Sequence, residues 1–452
     1  MKQQSDLTKG SIFQKLIFVA IPIMGSQLLQ MLYNLTNMFF LGRVSSEAVA
    51  AAAASMMFIW LSMALLLMGR MGAEIGVSQN KGRGDMETAA LFAQNAWRMA
   101  LILGIIYGSA LVFFSAQLLA VFNIQEAAVA EMATEYLRIL GLGIPAMYLS
   151  ASLAGSFNGS GNSRIPFLVN AIGTLISVFL NPLLIFTFAL GIQGAAIATV
   201  ISQWLVLILA LWAIKKHKNR PFEKIKLLAP PNREIRRQIL RWTSPISLES
   251  AAFTLLMMAV TRLIIDFGYG ALAIYHIGAQ IEALSWLIGV GFGTAVTAFV
   301  GQNYGAGKWE RIEKGFRISS IAMLVWGIAV TVLMIFGGYV LFGLFLREDE
   351  LRHMGAFYLR ILALTQIPGC LEHVGAGFFR GQGKPLRPSI VSITTNILRV
   401  ALCYLLAATA LGLHGIWWGV TLTAMLRGSA IFVWAMIVLA REKRLRAGGE
   451  RA

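Results

Sequence analysis

Glu249, Glu282 and Glu372 each fall inside a long apolar run. An ionised carboxylate at the centre of a membrane helix costs about 2.5–3.5 kcal/mol on insertion scales, so one that is kept there has a partner or a task. A bound proton or metal cation removes the charge. These three residues are therefore candidates for coupling to H+ or Na+. Glu282 has a structural alternative, an ion pair with Arg399, Arg262 or His276. Glu372 adjoins His373, a titratable group that also serves as a hydrogen-bonded structural residue. Neutral polar groups recur in the same setting. Tyr33 and Asn37 share one helix face by their spacing, as do Ser177 and Asn181, and Thr199 lies in the next apolar run. Such groups line cavities or make interhelical hydrogen bonds worth roughly 0.6 kcal/mol each. Phe253, Met257, Met258, Trp286 and Phe292 are candidates for an adaptable apolar lining, because thioethers repack and aromatic faces attract organic cations. Their alternative is ordinary packing or lipid contact. Pro22 and Pro245 are candidate hinges within apolar runs.

Other chemistries lack their residues. Gly305-Ala306-Gly307-Lys308 has the look of a phosphate loop, but Gln302 and Trp309 stand where that loop needs Gly and Ser or Thr. No His-Glu-x-x-His, paired Asp motif or serine elbow occurs, so no catalytic residue is assigned. The two cysteines, Cys370 and Cys403, have neither disulfide nor metal-site spacing. The expectation is a protein without cofactor or bound metal that is not an enzyme.

The elements that carry these residues follow from composition. Of 452 residues 57% are hydrophobic and 13% charged, with mean hydropathy +0.70. Soluble domains carry about 25% charged residues. The apolar runs are continuous rather than alternating, which predicts helices and not a barrel. Twelve runs are long enough to span a bilayer, the fourth at 132–154 and the tenth at 355–379. The first follows Lys2, Lys9 and Lys15 and reads as a retained helix rather than a cleaved signal. The net charge of +17 resides in connections: Lys215 to Arg237, Lys81 with Arg83, Lys308 with Arg311 and Lys314, Lys384 with Arg387, and Arg441 to Arg446. The intervening loops hold Glu47, Glu126, Glu131 and Asp266. This alternation predicts both termini in the cytoplasm and accounts for the basic balance without nucleic acid.

The chain repeats itself. Gln79-Asn80-Lys81-Gly82-Arg83-Gly84 returns as Gln302-Asn303-Tyr304-Gly305-Ala306-Gly307, and Tyr136-Leu137-Arg138-Ile139-Leu140 returns identically at Tyr358-Leu359-Arg360-Ile361-Leu362. Phe157-Asn158-Gly159-Ser160-Gly161 returns as Phe379-Arg380-Gly381-Gln382-Gly383, Pro22-Ile23 as Pro245-Ile246, and Gly191 with Gly194 as Gly412 with Gly415. The offset is nearly constant. Two domains of six spans are predicted, 1–220 with the start of a cytoplasmic linker and 221–452. An even number of spans per copy inserts both the same way up, an arrangement that encloses a central cavity and suits alternating access.

With these motifs the sequence resembles the multidrug and toxic compound extrusion (MATE) transporters over nearly its whole length, and within them the DNA-damage-inducible F-like branch. Tyr33-Asn34-Leu35-Thr36-Asn37-Met38-Phe39-Phe40-Leu41-Gly42 is similar to the family's first-helix pattern, Gln280-Ile281-Glu282-Ala283-Leu284 through Gly307 to its eighth-helix signature, and Arg380-Gly381-Gln382-Gly383-Lys384-Pro385 to the loop after its tenth helix. The resemblance implies an all-α integral membrane fold of twelve helices in two pseudo-symmetric bundles around a central cavity (MATE/MOP-like). It implies a monomer in the bacterial inner membrane that exports small amphipathic, often cationic organic compounds in exchange for protons or sodium ions. It also implies that Tyr33, Asn37, Ser177, Asn181 and Thr199 converge around a proton site. Proton-coupled members carry Asp on the first helix and often on the fifth. Here those positions read Asn37 and Asn181, which cannot release a proton. Either this chain couples elsewhere or its relay has been neutralised. A flippase for a lipid-linked precursor is the rival within transport, and it calls for a strongly cationic cavity. An integral-membrane enzyme is the rival outside it.

Overall fold

The computed structural model describes residues 6–216 and 232–449. The expected domain boundary at 220/221 and the basic residues Lys218, Arg220, Lys224 and Lys226 lie outside the described residues. Among the described residues fourteen α-helices follow one another: α1 (Ile12–Gly42), α2 (Ser46–Arg83), α3 (Met86–Ala120), α4 (Ala127–Gly141), α5 (Ile144–Gly159), α6 (Arg164–Pro182), α7 (Gly191–Lys216), α8 (Arg233–Ile265), α9 (Tyr269–Gly305), α10 (Trp309–Gly343), α11 (Asp349–Ala363), α12 (Gln366–Gly381), α13 (Leu386–Ala407) and α14 (Leu413–Gly449). One wide π turn, Leu183–Thr187, continues α6 past Pro182. Ten helices are long and apolar enough to cross a membrane, and two bent pairs bring the number to twelve if each is one span.

Those bent pairs revise the expected spans. The runs at 132–154 and 355–379 are not straight helices: α4 meets α5 at 46° and α11 meets α12 at 42°. Proline explains both. Pro145 and Pro368 lack an N–H, and their rings crowd the carbonyls of Gly141 and Leu364, four residues back at the breaks. The freed groups pair in tighter turns instead, Gly143 N–H to Leu140 C=O at 2.9 Å and Thr365 N–H to Leu362 C=O at 3.0 Å. Pro22 and Pro245 lie inside α1 and α8, which run through them unbroken.

The repeat extends to backbone conformation. Gly84, Gly161 and Gly191 have φ of +82°, +79° and +53°, and their counterparts Gly307, Gly383 and Gly412 have +69°, +73° and +50°. Gly84 closes α2 in the left-handed region, which lets Asp85 cap α3 by accepting the Thr88 N–H at 2.9 Å. That bonding holds the Asp85 carboxyl below the usual carboxylate range.

The chain forms two compact units, one holding Phe18–Ser247 and the other Thr8–Ile17 with Leu248–Ala452. In the first, α2 packs on α3, α4 and α5, and α6 on α7; in the second, α9 packs on α10, α11 and α12, and α14 on α12 and α13. The outward residues are apolar. Phe113 is 72% exposed, Phe179 73% and Phe336 81%, a surface suited to lipid.

Each unit brings two helices to backbone contact through glycines one turn apart. A Cβ on Gly155 or Gly159 of α5 would lie 2.3 or 2.5 Å from the carbonyl oxygens of Arg70 or Glu74 on α2. A Cβ on Gly377 or Gly381 of α12 would lie 2.6 or 2.8 Å from those of Gly293 or Thr297 on α9. Small residues at such crossings drive helix association where lipid removes the hydrophobic effect. Gly159→Leu and Gly381→Leu should each destabilise the protein by roughly 1–3 kcal/mol or more. Gly369→Ala meets nothing within 4 Å and should be neutral or slightly stabilising. Thermal unfolding of the three purified variants in one detergent tests the contrast.

Candidate functional site

Each unit holds a cluster of polar groups within its spans that includes the candidate residues. In the first unit the Tyr33 hydroxyl of α1 lies 2.5 Å from Thr199 Oγ1 of α7. Thr199 sends its own proton to the Ala195 carbonyl at 2.9 Å, so Tyr33 is the donor to Thr199. The Ser177 hydroxyl of α6 is a second neighbour of Tyr33. Asn37, one turn beyond Tyr33, donates to the Tyr136 hydroxyl of α4 at 3.3 Å. Asn181 is fully buried one turn from Ser177, and neither of its amide atoms has a partner among the described residues. The structure thus joins Tyr33 and Thr199, pairs Asn37 with Tyr136, and leaves the buried Ser177 and Asn181 side chains near them without a hydrogen bond among the described residues. An unmade hydrogen bond on a buried amide costs about 1–3 kcal/mol.

The cluster of the second unit is charged. Arg427 of α14 donates from Nε to Glu372 of α12 at 2.9 Å, and both side chains are under a fifth exposed. Glu249 of α8 accepts from Ser389 of α13 at 2.7 Å. Arg399 of α13 donates to Thr423 at 3.1 Å and lies 3.6 Å from the Met257 sulfur. Glu282 of α9 makes no ion pair among the described residues, although Arg399 and Arg427 are within electrostatic reach and Gln366 is a hydrogen-bonding neighbour. Of its expected partners, Arg262 bonds instead to Asp266 at 2.6 Å, and Arg399 takes Thr423. His373 Nδ1 lies 2.7 Å from the Gly369 carbonyl.

A cavity of about 50 Å³ opens among Glu282, Trp286, Gln366, Glu372, His373 and Arg427. Trp286 meets His373 edge-on at 6.3 Å. Phe253 is 43% exposed, Met258 is half-buried, and Phe292 is 3% exposed and packed in the interior. Of the five apolar candidates, Trp286 alone lines this cavity. A larger groove of about 570 Å³ lies where α3 meets α4, lined by Glu131, Thr134, Glu135 and Arg138. None of the residues of either polar cluster lines it.

A family model, MatE, matches residues 22–183 and 245–405, once in each half. The chain belongs to the MatE family. It is 27% identical to the probable multidrug resistance protein NorM of Thermotoga maritima over 92% of this chain and 91% of that protein. It is 27% identical to the probable multidrug resistance protein YpnP of Bacillus subtilis over 95% of this chain and 96% of that one. A crystal structure of MATE in the bent conformation, 22% identical, has a TM-score of 0.92 over 98% of this chain and 99% of that one. The expected twelve-span fold and family stand, and the chain is a multi-pass membrane transporter and not an enzyme.

In this MatE protein several residues of the clusters escaped the sequence reading, Tyr136 and Arg427 among them with Ser389, Thr423 and Gln366. Tyr136 sits in the repeated pentapeptide, which was a signal of duplication but not of contact with Asn37. Arg427 lies in an apolar run of the sequence, and only packing shows that it takes Glu372. Removing one partner of such a pair strands a charge, whereas removing one neutral hydrogen bond does not. Glu372→Leu should lower stability by about 3–5 kcal/mol, and Tyr33→Phe by roughly 0.6 kcal/mol. Chemical or thermal unfolding in detergent reads both, with Glu372→Leu combined with Arg427→Leu recovering most of the loss.

Proposed function

We infer that this MatE protein is a multidrug exporter driven by protons or sodium ions, and that its substrates are amphipathic, often cationic organic compounds. The multidrug names of its relatives support the first part. The carboxylate-rich cluster of the second unit supports the second. Among the described residues, Glu249, Glu282 and Glu372 all lie within electrostatic reach of Arg427, and Glu282 of Arg399 as well, three carboxylates to two guanidiniums. Such an excess attracts cations. A flippase for a pyrophosphate-linked lipid needs the opposite balance. Glu282 is the coupling residue in this reading, because its carboxylate is the one of the three without a direct ion pair or serine donor.

The first unit carries a second, dormant relay. Asn37 and Asn181 hold the geometry of a proton site, with Tyr136 as a ready donor to an Asp at position 37. The protein resides in the inner membrane with both termini cytoplasmic in this reading, as the loop charges require. It works by alternating access, as a monomer.

Uptake of a fluorescent organic cation into inverted vesicles, under a pH gradient and a sodium gradient separately, tests the reading. One gradient should drive accumulation, and Glu282→Gln should abolish at least about nine-tenths of it. No response to either gradient ends the exporter proposal. Full response in a folded Glu282→Gln protein removes Glu282 from coupling. Asn37→Asp with Asn181→Asp should add a pH-driven component. A pH response no greater than that of the parent protein sinks the relay.

A further inference from the structure

One face of α13 carries Ser389, Ser392, Asn396 and Arg399, each less than 5% exposed. Ser389 donates to Glu249, Asn396 Oδ1 stands 3.5 Å from Arg427, and Arg399 bonds Thr423. The Ser392 hydroxyl, between Ser389 and Asn396 on this face, is buried and has no partner among the described residues. Arg427 is the charge common to the group. It bonds Glu372 directly, and Glu249 and Glu282 are both within its electrostatic reach. The adjoining cavity of about 50 Å³ has room for one or two waters or a monovalent cation, and not for an organic molecule. Its surroundings, carboxylates with the Gln366 amide and nearby hydroxyls, are the oxygen donors that hard cations prefer. The guanidinium stands where such a cation would neutralise them.

We propose that Arg427 is a tethered counter-cation, whose guanidinium fills from within the chain a site that Glu282 and Glu372 would otherwise offer to a free monovalent metal ion. The side chain of Arg427 then sets the ion affinity of the cluster. An incoming cation must displace it from Glu372 rather than enter an open site. Other charged and titratable groups around the cluster are Arg399, Tyr275, His373, Cys370 and Arg380. The proposal deepens the coupling reading given above. It rests on that reading only in treating the cluster as one that handles cations.

The test is equilibrium binding of sodium to the purified full-length protein, read by radiolabelled sodium and by the sodium-dependent shift of thermal unfolding, with potassium holding ionic strength constant. Arg427→Gln should bind sodium at least about tenfold more tightly than the parent protein, because a positive charge has left the site. Adding Glu372→Gln to Arg427→Gln should abolish that gain. Sodium affinity unchanged in Arg427→Gln, or a gain that survives the added Glu372→Gln, overturns the proposal. If Arg427→Gln fails to fold, Arg427→Lys, shorter in reach but still charged, should show a smaller gain, and no gain at all overturns the proposal equally. Transport is not the readout. Loss of ion-driven export in vesicles would therefore remove the coupling reading while leaving Arg427 as counter-cation, and the converse result would do the reverse.

Discussion

Inside hydrocarbon there is no water to take up an unpaired dipole, and this one penalty governs the whole protein. It confines the backbone to helices, whose N–H and C=O groups are paired within the segment. Where proline interrupts the ladder, at Pro145, Pro368 and Pro182, the chain repairs it with tighter or wider turns rather than opening to lipid. It also explains the glycine crossings of α5 on α2 and of α12 on α9. With no hydrophobic drive between helices in lipid, close backbone approach supplies the packing. The same penalty makes every polar side chain in a span informative. Arg427 can be kept there because Glu372 meets it at 2.9 Å.

Duplication supplied two copies of one backbone, and divergence gave them different chemistry. The helices α8–α14 follow the order and breaks of α1–α7, with left-handed glycines at the same points. On the equivalent helices α6 and α13, Ser177 answers to Arg399 and Asn181 to Cys403. The first cluster is therefore neutral, a set of hydroxyls and amides of which Tyr33 with Thr199 and Asn37 with Tyr136 share hydrogen bonds. The second is ionic, three carboxylates against two guanidiniums. Neutral groups in a span hold small energies and tolerate rearrangement, while embedded charges hold large ones and resist it. This asymmetry is why ion handling is proposed for the second copy.

The sequence by itself determined the solvent, the element type, the duplication and the family. Each is a property of the chain averaged over many residues: hydropathy over twenty, charge over a loop, a motif against its repeat. It also singled out the embedded Glu, Tyr and Asn side chains, since a polar group in an apolar run is conspicuous without coordinates. Tertiary structure alone decided who meets whom. Tyr33 with Thr199, Asn37 with Tyr136 and Glu372 with Arg427 join residues far apart in the chain. Glu282 was left without the partners that its neighbourhood in sequence suggested. The bends after α4 and α11 belong to the same category, because a proline permits a break and packing determines its angle. A one-dimensional pattern states what each residue would lose by burial in lipid, but the partner that prevents the loss is chosen by the packing of helices in three dimensions.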